Sequence, residues 1–508
     1  MSSDSLKQPR SNGMEASCRA PLTLMILSAV AWLVVGALLG FVASVTIHWQ
    51  GLADVSWLTY GRLHPASTNA FLYGFAIQAG LAVAIWLICQ MGRARLAGPL
   101  PVMMGTAFWN IGVTIGVFGI LAGESSGFEW FEMPGIANLI LFSAYTLIAG
   151  FALVTFHHRK VRELYPSMWF LVAALFWFPW IYTTASILLV GSEPVRGTMQ
   201  AVVNWWYANN LSAIVFGFVG LGALFYFIPK LTGRPLFSRF YALTTFWLMA
   251  LIAPFGGIPA GAPVPAWLPS ISAAAAVLLI VPLLATQLNI HHTLGKEHQV
   301  TGWQRPDLRF FLFGAVAFVA VGFLSAVGPG LEVFNHVYPS LYNGSPMAEI
   351  FGVVETTPFD KDNFVQFTLL STALTQLSVY GFFAMTLFGA IYYIVPRITG
   401  ADWPSARLQN LHWLLAVGGL ALIVIPLAIA GVYQGYQLSD GLRGFNQLNK
   451  FPMMMLQVST VGHLFLLGAA VALLANLKIL LWRACCPCCV PAFLRESGAK
   501  NKPAEAAS

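Results

Sequence analysis

The stretch from Asn204 to Pro235 reads NWWYANNLSAIVFGFVGLGALFYFIPKLTGRP. It opens on a polar-aromatic cluster, Trp205-Trp206-Tyr207-Ala208-Asn209-Asn210, and continues as an apolar run holding Gly217, Gly220 and Gly222. It stops at Ile228-Pro229-Lys230. About 20 residues of this kind cross a bilayer. The aromatics suit one interface, Lys230 and Arg234 the other, and the small residues let neighbouring helices approach. A lipid-facing span has no use for Asn204, Asn209 and Asn210 at one end, because polar groups at membrane depth face a bundle interior or a cavity.

The rest of the 508 residues agrees. Hydrophobic residues make up 58% and charged residues 9%, and the mean hydropathy is +0.73. Soluble domains carry roughly a quarter charged residues, so the chain is an all-α polytopic membrane protein whose medium is the lipid bilayer. The net charge of +7 points to no nucleic acid, because its placement is that of membrane loops. Length and hydropathy predict about twelve transmembrane helices. The seventh, from Phe240 to Ile258, is short and broken by Pro254 and Gly256-Gly257.

The loops alternate in sign. One set carries Arg93/Arg95, Arg159/Lys160/Arg162, Lys230/Arg234/Arg239, Arg305/Arg309 and Arg397/Arg407. The other carries Glu124/Glu129/Glu132 and then Glu332/Glu349/Glu355/Asp360/Asp362. The excess of Lys and Arg on one side places both termini in the cytoplasm. Three segments follow: a disordered tail over 1–20, a membrane domain over 21–483, and a Cys-containing tail over 484–508. The six cysteines, Cys18, Cys89, Cys485, Cys486, Cys488 and Cys489, all avoid the outer loops, so no disulfide framework is implied. Four thiols within five residues do not close a tetrahedral cage unaided, and reduced thiols at the interface are the plain reading of the last four.

Several motifs in order resemble one family. Trp205-Trp206-Tyr207-Ala208-Asn209-Asn210 is similar to the sixth helix of subunit I of cbb-type cytochrome c oxidase, in the haem–copper oxidase superfamily. Ser56-Trp57-Leu58-Thr59-Tyr60-Gly61-Arg62-Leu63 before Pro65 resembles its entry to helix two. Phe246-Trp247 and Pro263-Val264-Pro265-Ala266-Trp267 resemble its helix seven region, and Gly389-Ala390-Ile391-Tyr392-Tyr393-Ile394-Val395-Pro396-Arg397 the end of its helix ten. The resemblance implies twelve spans, a bacterial inner membrane, a respiratory complex and a c-type cytochrome subunit as partner.

It also implies haem and copper held by imidazoles, and here the chain departs. Ser67 stands where helix two of the family carries its haem ligand. Asn209 stands at the helix six copper ligand, Gly257 and Ile258 at the helix seven copper pair, and Leu374 and Gln376 at the helix ten pair. There is no His between Phe364 and Arg397, and none in the helix six or seven text. Copper is therefore not expected, and haem rests on the resemblance alone. His64, three residues before Ser67 and ahead of Pro65, lies outside the helix on this reading and is either a relocated ligand or an interfacial hydrogen-bonding His. His463, inside the last span, is either a ligand or a hydrogen-bonded core His, and the two serve one haem or metal only if they converge.

The leading expectation is a subunit I-like membrane subunit without the standard centres. The alternatives are an active oxidase or nitric oxide reductase using haem on relocated ligands, and a transporter for a small uncharged solute. No catalytic residue is expected under the first. Two structural expectations follow. Leu374, Leu377, Tyr380, Phe382, Phe383 and Trp205–Tyr207 should fill the vacated space, since dry voids are costly. The outer loop over 328–363, with Glu349, Glu355 and Asp360, should dock the c-type cytochrome.

Overall fold

The computed structural model describes residues 13–52, 54–259, 262–342, 368–438 and 448–485. Eleven helices in it are long and apolar enough to span a bilayer, and a shorter apolar one stands seventh in order. They are α1 (Gly13–Thr46), α2 (Tyr60–Gly92), α3 (Pro99–Ala122), α4 (Gly135–His157), α5 (Pro166–Val190), α6 (Thr198–Thr232), α7 (Arg239–Phe255), α8 (Trp267–Gly295), α9 (Leu308–Tyr342), α10 (Leu369–Thr399), α11 (Ala406–Leu438) and α12 (Lys450–Cys485).

Local chemistry sets the ends. Arg93, Gly123, Gly233 and Gly400 take the left-handed conformation and close α2, α3, α6 and α10. Pro99 and Pro166 open α3 and α5, where a missing N–H costs nothing. Ser238 Oγ accepts from the Tyr241 amide at 3.2 Å to start α7.

α2, α6 and α10 form the middle of the bundle. Their most apolar stretches are buried over 94%, 83% and 94% of their residues, against 39–44% for the other long helices. Lipid tails offer no hydrophobic drive toward association, so close packing of small residues supplies it. A methyl built on Gly36 of α1 would lie 3.2 Å from the Phe71 amide of α2, and one on Gly389 of α10 would lie 2.9 Å from the Phe311 ring of α9. α12 runs antiparallel to α1, with Ser44 Oγ 2.7 Å from Thr460 Oγ1.

Three boundaries differ from the sequence reading. α1 begins at Gly13, inside the stretch read as a tail. α9 continues to Tyr342, so 328–342 is helical and not loop. Hydropathy marks where the bilayer ends; a helix whose backbone bonds are satisfied internally can run past that edge. Likewise α2 begins at Tyr60, so His64 lies within the helix; Pro65 forgoes one backbone bond and does not end it.

Candidate functional site

Each of the three central helices widens from α to π winding beside the positions singled out above. The π segments are Ala70–Ile77 in α2, Leu211–Phe216 in α6 and Leu377–Ala384 in α10. They start within three residues of Ser67, Asn209 and Gln376 respectively. A π turn adds a residue to the helical repeat, re-aims side chains and is concentrated at functional sites.

Asn209 and the helix seven position meet. The Asn209 Nδ2 donates to the Ala253 carbonyl at 2.8 Å, closing the C-terminal end of α7. Gly257 has φ +90°, and a methyl there would collide with Asn209 Cβ. Asn210 donates to the Trp206 carbonyl at 2.9 Å and accepts from Trp177 Nε1 at 3.1 Å. Ile258 turns its amide to Ser272 Oγ at 3.0 Å. Where two copper-ligating helices would face each other, a carboxamide caps a broken helix.

Ring contacts join the helices that carry the positions the resemblance assigns to haem ligands. Ser67 Oγ donates to the Gly36 carbonyl at 2.8 Å, and Leu374 and Gln376 are half-buried. Phe71 of α2 stacks on Tyr380 of α10 at 5.8 Å between centroids. Phe216 of α6 stacks on Phe383 of α10 at 4.5 Å, and Phe382 packs on Phe318 at 4.8 Å. The Phe382 ring also occupies the place a side chain on Gly220 would need. Beside Phe216 and Phe383 a cavity of about 20 Å³ remains, enough for about one water, where ligand pockets measure about 300–1,000 Å³. Tyr380, Phe382, Phe383 and Tyr207 are buried, as expected of fillers; Leu374, Leu377, Trp205 and Trp206 are half-buried. The residues at these positions do not fit haem and copper: none offers an imidazole, and aromatic contacts join the helices that would flank the macrocycle.

His463 comes close to Ser67, one helical turn from His64. Gly40 marks the meeting point, since a methyl there would lie 2.8 Å from Ser67 Oγ and 3.8 Å from His463 Nδ1. His463 also lies within electrostatic range of His64. His64 is exposed and stacks on Tyr60 at 5.1 Å between ring centroids. Among the described residues no three His, Cys, Asp or Glu gather in a metal-binding group.

Sequence reasoning missed one polar centre. Glu132, in the connection between α3 and α4, is only 6% exposed. Its Oε2 accepts from Asn69 Nδ2 at 2.6 Å. Burial pushes its carboxyl up to about 7 against the opposing pull of the Asn69 bond. Next to it Tyr73 donates to the Trp130 carbonyl at 2.8 Å and lies 2.6 Å from the Tyr207 hydroxyl. Trp130 holds φ +67°, a strained conformation for a bulky residue. The group joins the α3–α4 connection to α2 and α6 beside their π segments, and can hold a proton on Glu132 near neutral pH. Its sequence signal was Glu129-Trp130-Phe131-Glu132, which by charge alone reads as one more acidic loop.

A second buried pair lies at the other end of the bundle. Tyr392 Oη is 2.9 Å from His412 Nδ1, and Arg309 lies over the Trp413 ring at 5.1 Å. Glu349, Glu355 and Asp360 lie outside the described residues, as do Cys486, Cys488 and Cys489.

Comparison with known proteins agrees with this architecture. The chain is 24% identical over 423 residues to cbb3-type cytochrome c oxidase subunit CcoN1 of Stutzerimonas stutzeri, covering 80% of this chain and 81% of that one. It is 24% identical over 362 residues to a nitric oxide reductase polypeptide of the same species, covering 68% and 60%. A solved haem–copper terminal oxidase dimer shares the fold with a TM-score of 0.64 at 15% identity, over 92% of this chain and 84% of that one. Residues 20–336 and 346–472 match the family described as Cytochrome C and Quinol oxidase polypeptide I, and this membrane chain therefore belongs to the subunit I family of the haem–copper oxidases.

Proposed function

We propose that the chain is a subunit I-like membrane subunit of a respiratory electron-transfer complex that works without the standard haem and copper centres. The observation that carries this is the state of the ligand positions. Ser67, Asn209, Gly257, Ile258, Leu374 and Gln376 supply no imidazole, and the Phe71–Tyr380 and Phe216–Phe383 contacts bridge α2, α6 and α10. Fold does not carry chemistry where the site is gone. In this reading the chain lies in the bacterial plasma membrane with both termini cytoplasmic. A c-type cytochrome subunit docks on its acidic outer face.

The test is the non-covalent haem and the copper of the native complex, measured after acid–acetone extraction so that covalent c-type haem stays with the protein. We expect no extractable haem, and no copper with nitrogen neighbours, in proportion to this subunit. One extractable haem per chain would overturn the proposal. It would favour a second reading, an oxidase or nitric oxide reductase with haem held by His64 and His463, which the placement of His463 beside Ser67 supports. Solute transport has less support, because the centre of the bundle is filled by rings.

A further inference from the structure

Cys18 and Cys89 are 71 positions apart in sequence, yet their sulfurs lie 3.5 Å from each other. Cys18 is in the second turn of α1, Cys89 in the last turn of α2, and each is 1% exposed. The distance exceeds a disulfide bond of about 2.05 Å and both are free thiols. The surroundings are polar on the Cys18 side. Ser17 Oγ is 3.9 Å from Cys18 Sγ. The Leu96 amide, which donates to Ser17 Oγ at 3.0 Å, also faces that sulfur. The Arg95 guanidinium lies against Gly13, one turn away. Glu15 is the carboxylate within charge range of Cys18.

We propose that Cys18 and Cys89 form a binding site for a soft monovalent metal ion, Cu(I) by class. No third His, Cys, Asp or Glu joins them among the described residues, so metals that need three or four ligands are not satisfied. Two sulfurs suit a soft cation that accepts linear two-coordination. Binding transfers no electrons: two thiols release two protons, and two sulfur–metal bonds form as the sulfurs part slightly. The antiparallel α12 ends at Cys485 on the side where α1 begins, and Cys486, Cys488 and Cys489 follow in sequence.

The full chain is purified anaerobically in detergent with Cys485→Ser, Cys486→Ser, Cys488→Ser and Cys489→Ser, and titrated with Cu(I) against a chromophoric chelator. We expect roughly one Cu(I) per chain. Cys18→Ser or Cys89→Ser added to that background should weaken it by at least about a hundredfold, the upper end of what losing an outer-shell partner costs. Cys18→Met keeps a sulfur donor and should lose less, which separates ligand loss from misfolding. X-ray absorption should show sulfur neighbours only. No retention in the four-serine chain, retention that survives Cys18→Ser, or nitrogen neighbours would each overturn the site.

Discussion

Glu132 is where burial and charge conflict most directly. Its carboxyl, ordinarily at 4.5, stands at about 7 in the folded protein because burial penalises the charged form. The folded state therefore keeps a proton that the unfolded chain releases between those values. The stability this contributes is fully present below 4.5 and lost as pH rises through 7. The loss is on the order of 3 kcal/mol. The apparent melting temperature in detergent should fall between pH 5 and pH 8, and Glu132→Gln should flatten that slope. A wild-type slope left intact in the variant would assign the titration to another group. Gly257 supports a second test. Its φ of +90° and the Asn209 contact make Gly257→Ala doubly unfavourable. The backbone part costs about 1–2 kcal/mol, and adding Asn209→Gly should recover only the steric part, read as a partial return of the melting temperature.

At the scale of elements, the question is what holds α6 to α10. Phe383 stacks on Phe216 and touches Gly80 of α2, where a methyl would come within 3.2 Å of the ring. Phe383→Ala should destabilise by about 3–5 kcal/mol if the gap stays open and less if the helices collapse into it. Phe255→Ala, at an exposed ring in the 3-10 turn that ends α7, should change stability by no more than about 0.5 kcal/mol. Thermal unfolding of both variants in one detergent compares them directly. Equal effects would mean that the aromatic contacts do not organise the centre. The α-to-π changes in α2, α6 and α10 have no counterpart in hydropathy. Each segment is as apolar as a regular helix, and the widening shows only when backbone bonds are traced.

For the whole molecule, the distribution of charge makes two predictions. Reporter fusions after Arg162 and Arg239 should read cytoplasmic and a fusion near Glu129 outer; two reversed readings would break the orientation. The stretch over 328–363 carries a net charge of about −4 by the signs of its Asp, Glu and Lys. Acidic rims steer basic partners. Charge reversal of Glu349, Glu355 and Asp360 together should weaken co-purification of a c-type cytochrome at low salt, with the difference shrinking as salt rises to physiological levels. Unchanged recovery at both salts would leave these acids with a role in topology alone.

The sequence by itself determined the order of the spans, the alternation of charged loops and the absence of His at the six positions the resemblance singles out. Those are properties of composition and local hydropathy, which the bilayer reads one segment at a time. It left open which faces meet, because lipid tails do not distinguish one apolar side of a helix from another. Only the tertiary structure placed Asn209 against Gly257 and His463 beside Ser67. It also buried Glu132 against Asn69, and set Cys18 on Cys89 across 71 residues. Each pairing depends on the rotation of a helix about its own axis, which small residues and ring contacts set at distances that no local pattern records.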